Sequence, residues 1–110
     1  MAANIRILAP NGILDGTQAD AFRKEVDDAL EAGVDKILID LKNITFVDSS
    51  GLGLLVTVLK QVKASSKEMY VCSINDQVKM LFELTSMDRV FEVLSDREAF
   101  AKKIANTSKA

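Results

Sequence analysis

The chain is 110 residues long, sets 14 basic against 16 acidic residues for a net charge of −2, and is 48% apolar and 27% charged. Those proportions describe one globular domain, residues 1–110, with enough Leu, Ile, Val and Phe to fill a core without disulfides or metal. No uncharged apolar run approaches the roughly 18 residues that cross a bilayer, and the N-terminus lacks the layout of a secretion signal, so the expectation is a cytoplasmic protein with no membrane partner.

Residues 4–8 alternate in polarity and read as a strand. Ala9, Pro10, Asn11 and Gly12 read as a turn, and Ile13 and Leu14 as a short second strand, so an N-terminal hairpin is expected. After Asp15 and Gly16, Thr17 is placed to cap a helix. Its apolar face is Ala19, Phe22, Val26, Ala29 and Leu30, and Gly33 stops it. Residues 36–41 are nearly continuously apolar, as suits a central strand covered on both faces. Residues 43–47 follow, then a polar corner of Asp48, Ser49, Ser50 and Gly51, and a long helix from about Leu52 to Ala64. Residues 68–73 return as a strand. Asn75 or Asp76 caps a third helix carrying Val78, Leu81 and Phe82, residues 90–94 form a last short strand, and a final helix precedes a frayed tail at 106–110. Helices alternating with single strands predict an α/β fold: a mixed, mostly parallel sheet of four to five strands with an N-terminal hairpin, packed with about four helices.

The residue types that are absent exclude whole classes of function. The chain has no histidine, which rules out Ser-His-Asp and Cys-His catalysis, histidine-ligated zinc and a phosphohistidine relay. Its one cysteine, Cys72, forms no internal disulfide or thiolate cluster and falls in an apolar run where packing is its expected role, consistent with a reducing compartment. Near-neutral charge and the lack of Trp leave no basic and stacking stripe for nucleic acid. Lys60, Lys63 and Lys67 read as cations complementing a helix C-terminus.

The corner concentrates an acid, two hydroxyls and two glycines where the chain enters a helix. Capping by Asp48 or Ser49 explains one of these polar residues. A serine hydroxyl at an exposed helix start is also suited to carry phosphate. Enzyme motifs with similar ingredients fail: the third glycine of a dinucleotide fingerprint, the Gly-Lys-Ser/Thr of a phosphate loop and the first glycine of a nucleophile elbow are all missing. Ser49 is therefore expected to be acted upon rather than to act. Within the following helix, Leu52, Leu55, Val56, Leu59 and Val62 form a stripe toward the sheet, whereas Leu54 and Val58 point elsewhere. That pair is either a partner-docking patch or covered by a neighbouring helix.

Residues 46–55, Phe-Val-Asp-Ser-Ser-Gly-Leu-Gly-Leu-Leu, resemble the STAS-domain family, in particular the stand-alone anti-sigma factor antagonists of bacteria. Gly12 to Asp15, Ile39 to Leu41 and Leu84 to Val93 resemble further segments of that family, so the likeness spans nearly the whole chain. It implies a non-catalytic partner switch. The unmodified protein binds an anti-sigma factor that is also a serine kinase, phosphorylation at Ser49 breaks the complex, and a metal-dependent PP2C-type phosphatase restores it. Asp15 matches the family aspartate near the kinase-contacting surface, Asp48 helps to shape the corner with Ser50 beside the acceptor, and the expected partner-binding residues are Asp15, Asp48, Ser50, Gly51 and Leu52 together with Leu54 and Val58 from the helical spacing. The chain itself needs no cofactor, since ATP belongs to the kinase, and is expected to be a monomer or weak homodimer. Ile13 stands where many relatives carry a polar residue, and Ser86 where they often have glycine. The other readings are a STAS regulator of a non-sigma output such as a phosphatase or cyclase, a small-ligand or nucleotide module using the helix start at residues 50–53, and, last, an enzyme with a novel site.

Overall fold

The computed structural model describes residues 4–108, with the side chains of 106–108 left out. The elements, in chain order, are β1 (Ile5–Leu8), β2 (Gly12–Leu14), a 3-10 turn (Gly16–Gln18), α1 (Ala19–Glu31), β3 (Lys36–Asp40), β4 (Ile44–Val47), α2 (Ser49–Ala64), β5 (Glu68–Cys72), α3 (Asp76–Leu84), a 3-10 turn (Met87–Arg89), β6 (Val93–Leu94) and α4 (Arg97–Ser108).

Four strands form a sheet in the order β1-β3-β5-β6, parallel at every described pairing. β3 is its central strand, and its alternation divides the core. Ile37 and Ile39 join α1, α2 and α3 through Phe22, Val26, Leu55, Val58, Val62, Val78 and Phe82. Leu38 faces the other way and packs with Tyr70, Cys72, Phe100 and Ile104 under α4. The nearly continuous apolar run of β3 is thus the mark of a strand covered on both faces. Cys72 is fully buried as a packing residue.

The expected N-terminal hairpin does not form. β1 pairs with β3, and β2 pairs with β4 in a separate two-stranded sheet, both in parallel. The short link at residues 9–11 steps the chain from one sheet to the other. Gly12 (φ +80°) turns its N–H onto the Asn43 carbonyl at 3.0 Å instead of back toward β1. Each strand is held by the partner that lets it bury a leucine, Leu8 and Leu14 respectively.

Three boundaries shift as well. Asp15, not Thr17, caps the chain before α1, by way of the first 3-10 turn. α2 begins at Ser49, three residues earlier than expected. The last strand shortens to Val93–Leu94, because residues 87–89 turn and Val90 and Phe91 follow that turn, with N–H groups bonded to the Met87 carbonyl. The fraying expected at 106–110 is only partly within view: the α4 backbone is helical to Ser108, and residues 109–110 lie outside the described residues. Among the described residues no helix is long and apolar enough to cross a membrane.

Candidate functional site: the corner between β4 and α2

The corner is built by three segments that converge on Val47 and Asp48. β4 pairs with β2 along one edge. Its other edge is closed by side-chain amides from the start of α3. Gln77 accepts from the Val47 N–H and donates to the Val47 carbonyl, both at 2.9 Å, and Asn75 donates to the Ile44 and Thr45 carbonyls at 3.2 Å. Gln77 therefore mimics a strand partner for the last residue before the corner. Sequence reasoning missed this role, since nothing local distinguishes it from any polar residue in a first helical turn.

Asp48 is the N-cap of α2. Its Oδ1 accepts from the Gly51 N–H at 2.8 Å, and its carbonyl accepts from the Leu52 N–H at 2.9 Å. The cap thereby uses the Gly51 amide, one of the otherwise free amides of the helix start, which leaves less of an anion site at residues 50–53 than the ligand reading assumes. Asp48 also donates its own N–H to the Leu14 carbonyl at 3.4 Å. The same carbonyl explains Gly51, because a Cβ there would stand 2.0 Å from the Leu14 oxygen. Any side chain at 51 would push α2 off β2.

Ser49 and Ser50 are the first two residues of α2, and both are exposed. Among the described residues neither hydroxyl has a hydrogen-bond partner. Ser50 lies beside the turn after β2, with its Cβ 3.7 Å from where a Cβ on Gly16 would stand. Asp15 shapes that turn. Its carboxylate accepts from the Thr17 hydroxyl at 2.5 Å and the Thr17 N–H at 2.9 Å, and these bonds hold it below the usual carboxylate range. Cavities of about 190 to 550 Å³ open elsewhere on the surface, and no residue of the corner lines them.

The other expected partner residues divide clearly. Leu54 and Val58 are 5% and 0% exposed and belong to the core, so the docking patch expected there does not exist. The reason is that α2 contacts α1, β5, β2 and β4, which leave exposed a strip at Ser49, Ser50, Gly53, Thr57, Lys60, Lys63 and Ala64, with Val56 and Gln61 half-buried. Leu52 is likewise buried, and Gly51 serves packing. On the strands that lead into the two caps, exposed apolar surface lies on the β2–β4 pair. Ile13 and Phe46 are cross-strand partners, 51% and 44% exposed, opposite in facing to the buried Leu14 and Val47. Each stands two residues before an acidic cap, Asp15 or Asp48. Period-two alternation with Val47 is the sequence signal that marks Phe46 as outward-facing.

A parallel α/β domain with a capped, doubly hydroxylated helix start beside an exposed apolar pair is built to present a surface. The comparisons place it. Residues 2–107 match the STAS domain, and the chain belongs to that family. An anti-sigma F factor antagonist of Paenibacillus polymyxa is 30% identical over 90 residues, 81% of this chain and 77% of that protein. A crystal structure of a Thermotoga maritima protein superposes with a TM-score of 0.83 at 29% identity, over 92% of this chain and 87% of that one. The anti-sigma factor antagonist SpoIIAA in its unphosphorylated form shares the fold, with a TM-score of 0.74 at 18% identity over 93% of this chain and 90% of that one. SpoIIAA of Bacillus has also been solved in a phosphorylated form.

Proposed function

We propose that this chain is an anti-sigma factor antagonist that works as a partner switch, with Ser49 as its phosphorylation site. The observation that carries the reading is Ser49 itself: an exposed hydroxyl, unpartnered among the described residues, on the first residue of α2, directly after the Asp48 cap and three residues after the exposed Phe46. In the unmodified state this surface docks an anti-sigma factor that is also a serine kinase, in the cytoplasm where ATP is available. The kinase transfers the γ-phosphoryl group of ATP to Ser49 Oγ. A new O–P bond forms, the bond to the β-phosphate oxygen breaks, ADP leaves, and the serine proton passes to a base on the kinase. A PP2C-type phosphatase hydrolyses the phosphoserine and resets the switch. The antagonist contributes an acceptor and a surface, and no catalytic group.

The physics supports a switch that needs no refolding. Phosphoserine adds about −1.5 to −2 charge. At the first residue of a helix that charge is favoured by the dipole, so the domain tolerates it. At a docking surface that already carries Asp48 and Asp15, the same charge adds repulsion and desolvation for a partner. Because each ~1.4 kcal/mol is tenfold in affinity, a few kcal/mol of such repulsion separates bound from released.

The test compares Ser49→Ala and Ser49→Asp in binding to purified anti-sigma factor kinases of the source organism. Ser49→Ala is expected to bind like the unmodified protein and to resist phosphorylation, and Ser49→Asp to bind about 100-fold more weakly while melting at a similar temperature. Equal binding by both variants contradicts the reading.

A further inference from the structure

β1 is an outer strand of the four-stranded sheet: β3 holds one of its edges, and among the described residues no strand pairs with the other. The Lys36 N–H donates to the Asn4 carbonyl at 3.2 Å, so the even-numbered residues of this strand address β3. By the alternation of a ladder, the N–H and C=O groups of Ile5 and Ile7 point outward, as a template for another strand. β1 carries neither the proline nor the bulge that would blunt such an edge. The side chains of Ile5 and Ile7 are 36% and 39% exposed and stand beside α4, in an apolar groove of about 550 Å³ walled by Phe100, Ala101, Ile104 and Ala105.

The occupant of this edge is indicated by the charges on the opposite face of the strand. Leu8 packs into the core with Phe22 and Val26 of α1, and Arg6, two residues earlier, lies on the same face. Arg6 is half-buried, and among the described residues its side chain has no ion pair or hydrogen bond. Glu25, on the exposed side of α1, likewise has none. Glu25 lines a cavity of about 300 Å³ beside Leu8, whose wall also holds Gln18, with an Oε1 that is buried and has no hydrogen-bond partner among the described residues. One face of one open strand thus carries a cation without an anion at residue 6 and, beside residue 8, a cavity with an anion and no cation.

A second copy of the chain satisfies both. Two identical edge strands pair antiparallel about a two-fold axis, so that each contact of residue i with residue j is repeated as j with i. Residues directly opposite in such a pair share a face. The register that sets Ile5 against Ile7 of the second copy sets Arg6 against Arg6, and like charges repel. The register that sets Ile7 against Ile7 sets Arg6 against Leu8 of the second copy, beside its Glu25 cavity, and the symmetric contact repeats at the other end. On the α4 face the two Ile7 side chains meet, and the second strand closes the open side of the apolar groove.

We propose that β1 is a self-association edge: two copies of this chain pair through it antiparallel, with Ile7 opposite Ile7 and Arg6 of each copy paired to Glu25 of the other. A four-residue strand with one ion pair at each end is less than the ~1,600 Å² of a standard interface, so the dimer is a weak one, with a Kd of about 10 µM to 1 mM. The proposal is independent of the partner-switch reading, and the edge shares no residue with the corner at Ser49.

The test is sedimentation equilibrium of the full chain at low salt, at concentrations up to about 1 mM. The mass is expected to rise with concentration toward that of a dimer. Arg6→Glu and Glu25→Arg each place like charges at both ends of the contact and are expected to weaken dimerisation about tenfold or more, while the double variant carrying both reversals recovers it to within about threefold. Ile7→Lys, which sets two ammonium groups opposite one another, is expected to leave monomer. Circular dichroism confirms that each variant is folded. A chain that stays monomeric throughout the range overturns the proposal. So does a dimer that either single reversal or Ile7→Lys leaves unchanged, or one that the double variant fails to recover.

Discussion

Asp15 and Asp48 perform one task at two positions: each ends a strand of the β2–β4 pair and accepts from backbone N–H two or three residues on, fixing the turn that follows. Capping was legible at Asp48, because an acid before a hydroxyl-rich helix start has few other uses. It was misread at Asp15, because Thr17 has the same capping chemistry and sits nearer the first apolar residue of α1. Burial was harder to read. Leu54 and Val58 were visible as a second apolar side of α2, but helical spacing says only which residues share a face and nothing about what covers it. Ser86 shows the reverse case, in which a comparison of residue types anticipates geometry. It adopts φ 62°, ψ 17°, a left-handed conformation that glycine takes without a Cβ penalty. Ser86→Gly is therefore expected to stabilise the domain by about 0.5–1 kcal/mol, after the greater entropy loss of glycine is counted, and to leave partner binding unchanged. Thermal melting alongside a binding assay checks both.

At the scale of elements, helices α1, α2 and α3 and strands β3 and β5 were legible from periodicity, since each carries its own pattern of apolar residues. Strand pairing was not. Pro10, Asn11 and Gly12 have the composition of a hairpin turn, yet the choice between pairing β1 with β2 or with distant β3 is decided by burial of Leu8 and Leu14 in the assembled core. The packing of α4 shows a similar long-range dependence. Asp40, at the end of β3, is buried and accepts from the Arg97 Nε at 2.6 Å and the Lys42 N–H at 3.0 Å. Burial pushes its carboxyl up, but the Arg97 bond and the Lys42 N–H outweigh that and hold it below the ordinary range. A carboxylate whose folded pKa is depressed stabilises the fold above its unfolded pKa, about 3.9, and that contribution is lost as pH falls through the lower folded value. Arg97→Ala is expected to cost about 1–3 kcal/mol at pH 7, because it leaves a buried charge with one partner fewer. The difference from the unsubstituted protein should shrink as pH falls out of the ordinary carboxylate range and through the lower folded value. Denaturant melts at pH 7 and at steps down the acid range measure it, and a gap that never shrinks before the fold is lost would assign the loss to packing of the Arg97 stem instead.

At the scale of the whole molecule, the parallel sheet and its four helices act as a rigid mount for one small surface. The helix carrying Ser49 is buried on every side but a strip, its start is locked by Asp48, Gly51 and the Leu14 carbonyl, and the strand feeding it is clamped by Gln77. Such a mount lets a single added charge be read by a partner without movement in the domain itself, which is the central claim made for this protein. Intact-mass and peptide mass spectrometry of the protein purified from its own cells, before and after treatment with a metal-dependent phosphatase, tests that claim most directly. The account predicts a fraction carrying one phosphoryl group, localised to Ser49 and removed by the phosphatase. Phosphate confined to another residue, or none in any growth condition while candidate kinases also leave Ser49 untouched, would contradict it.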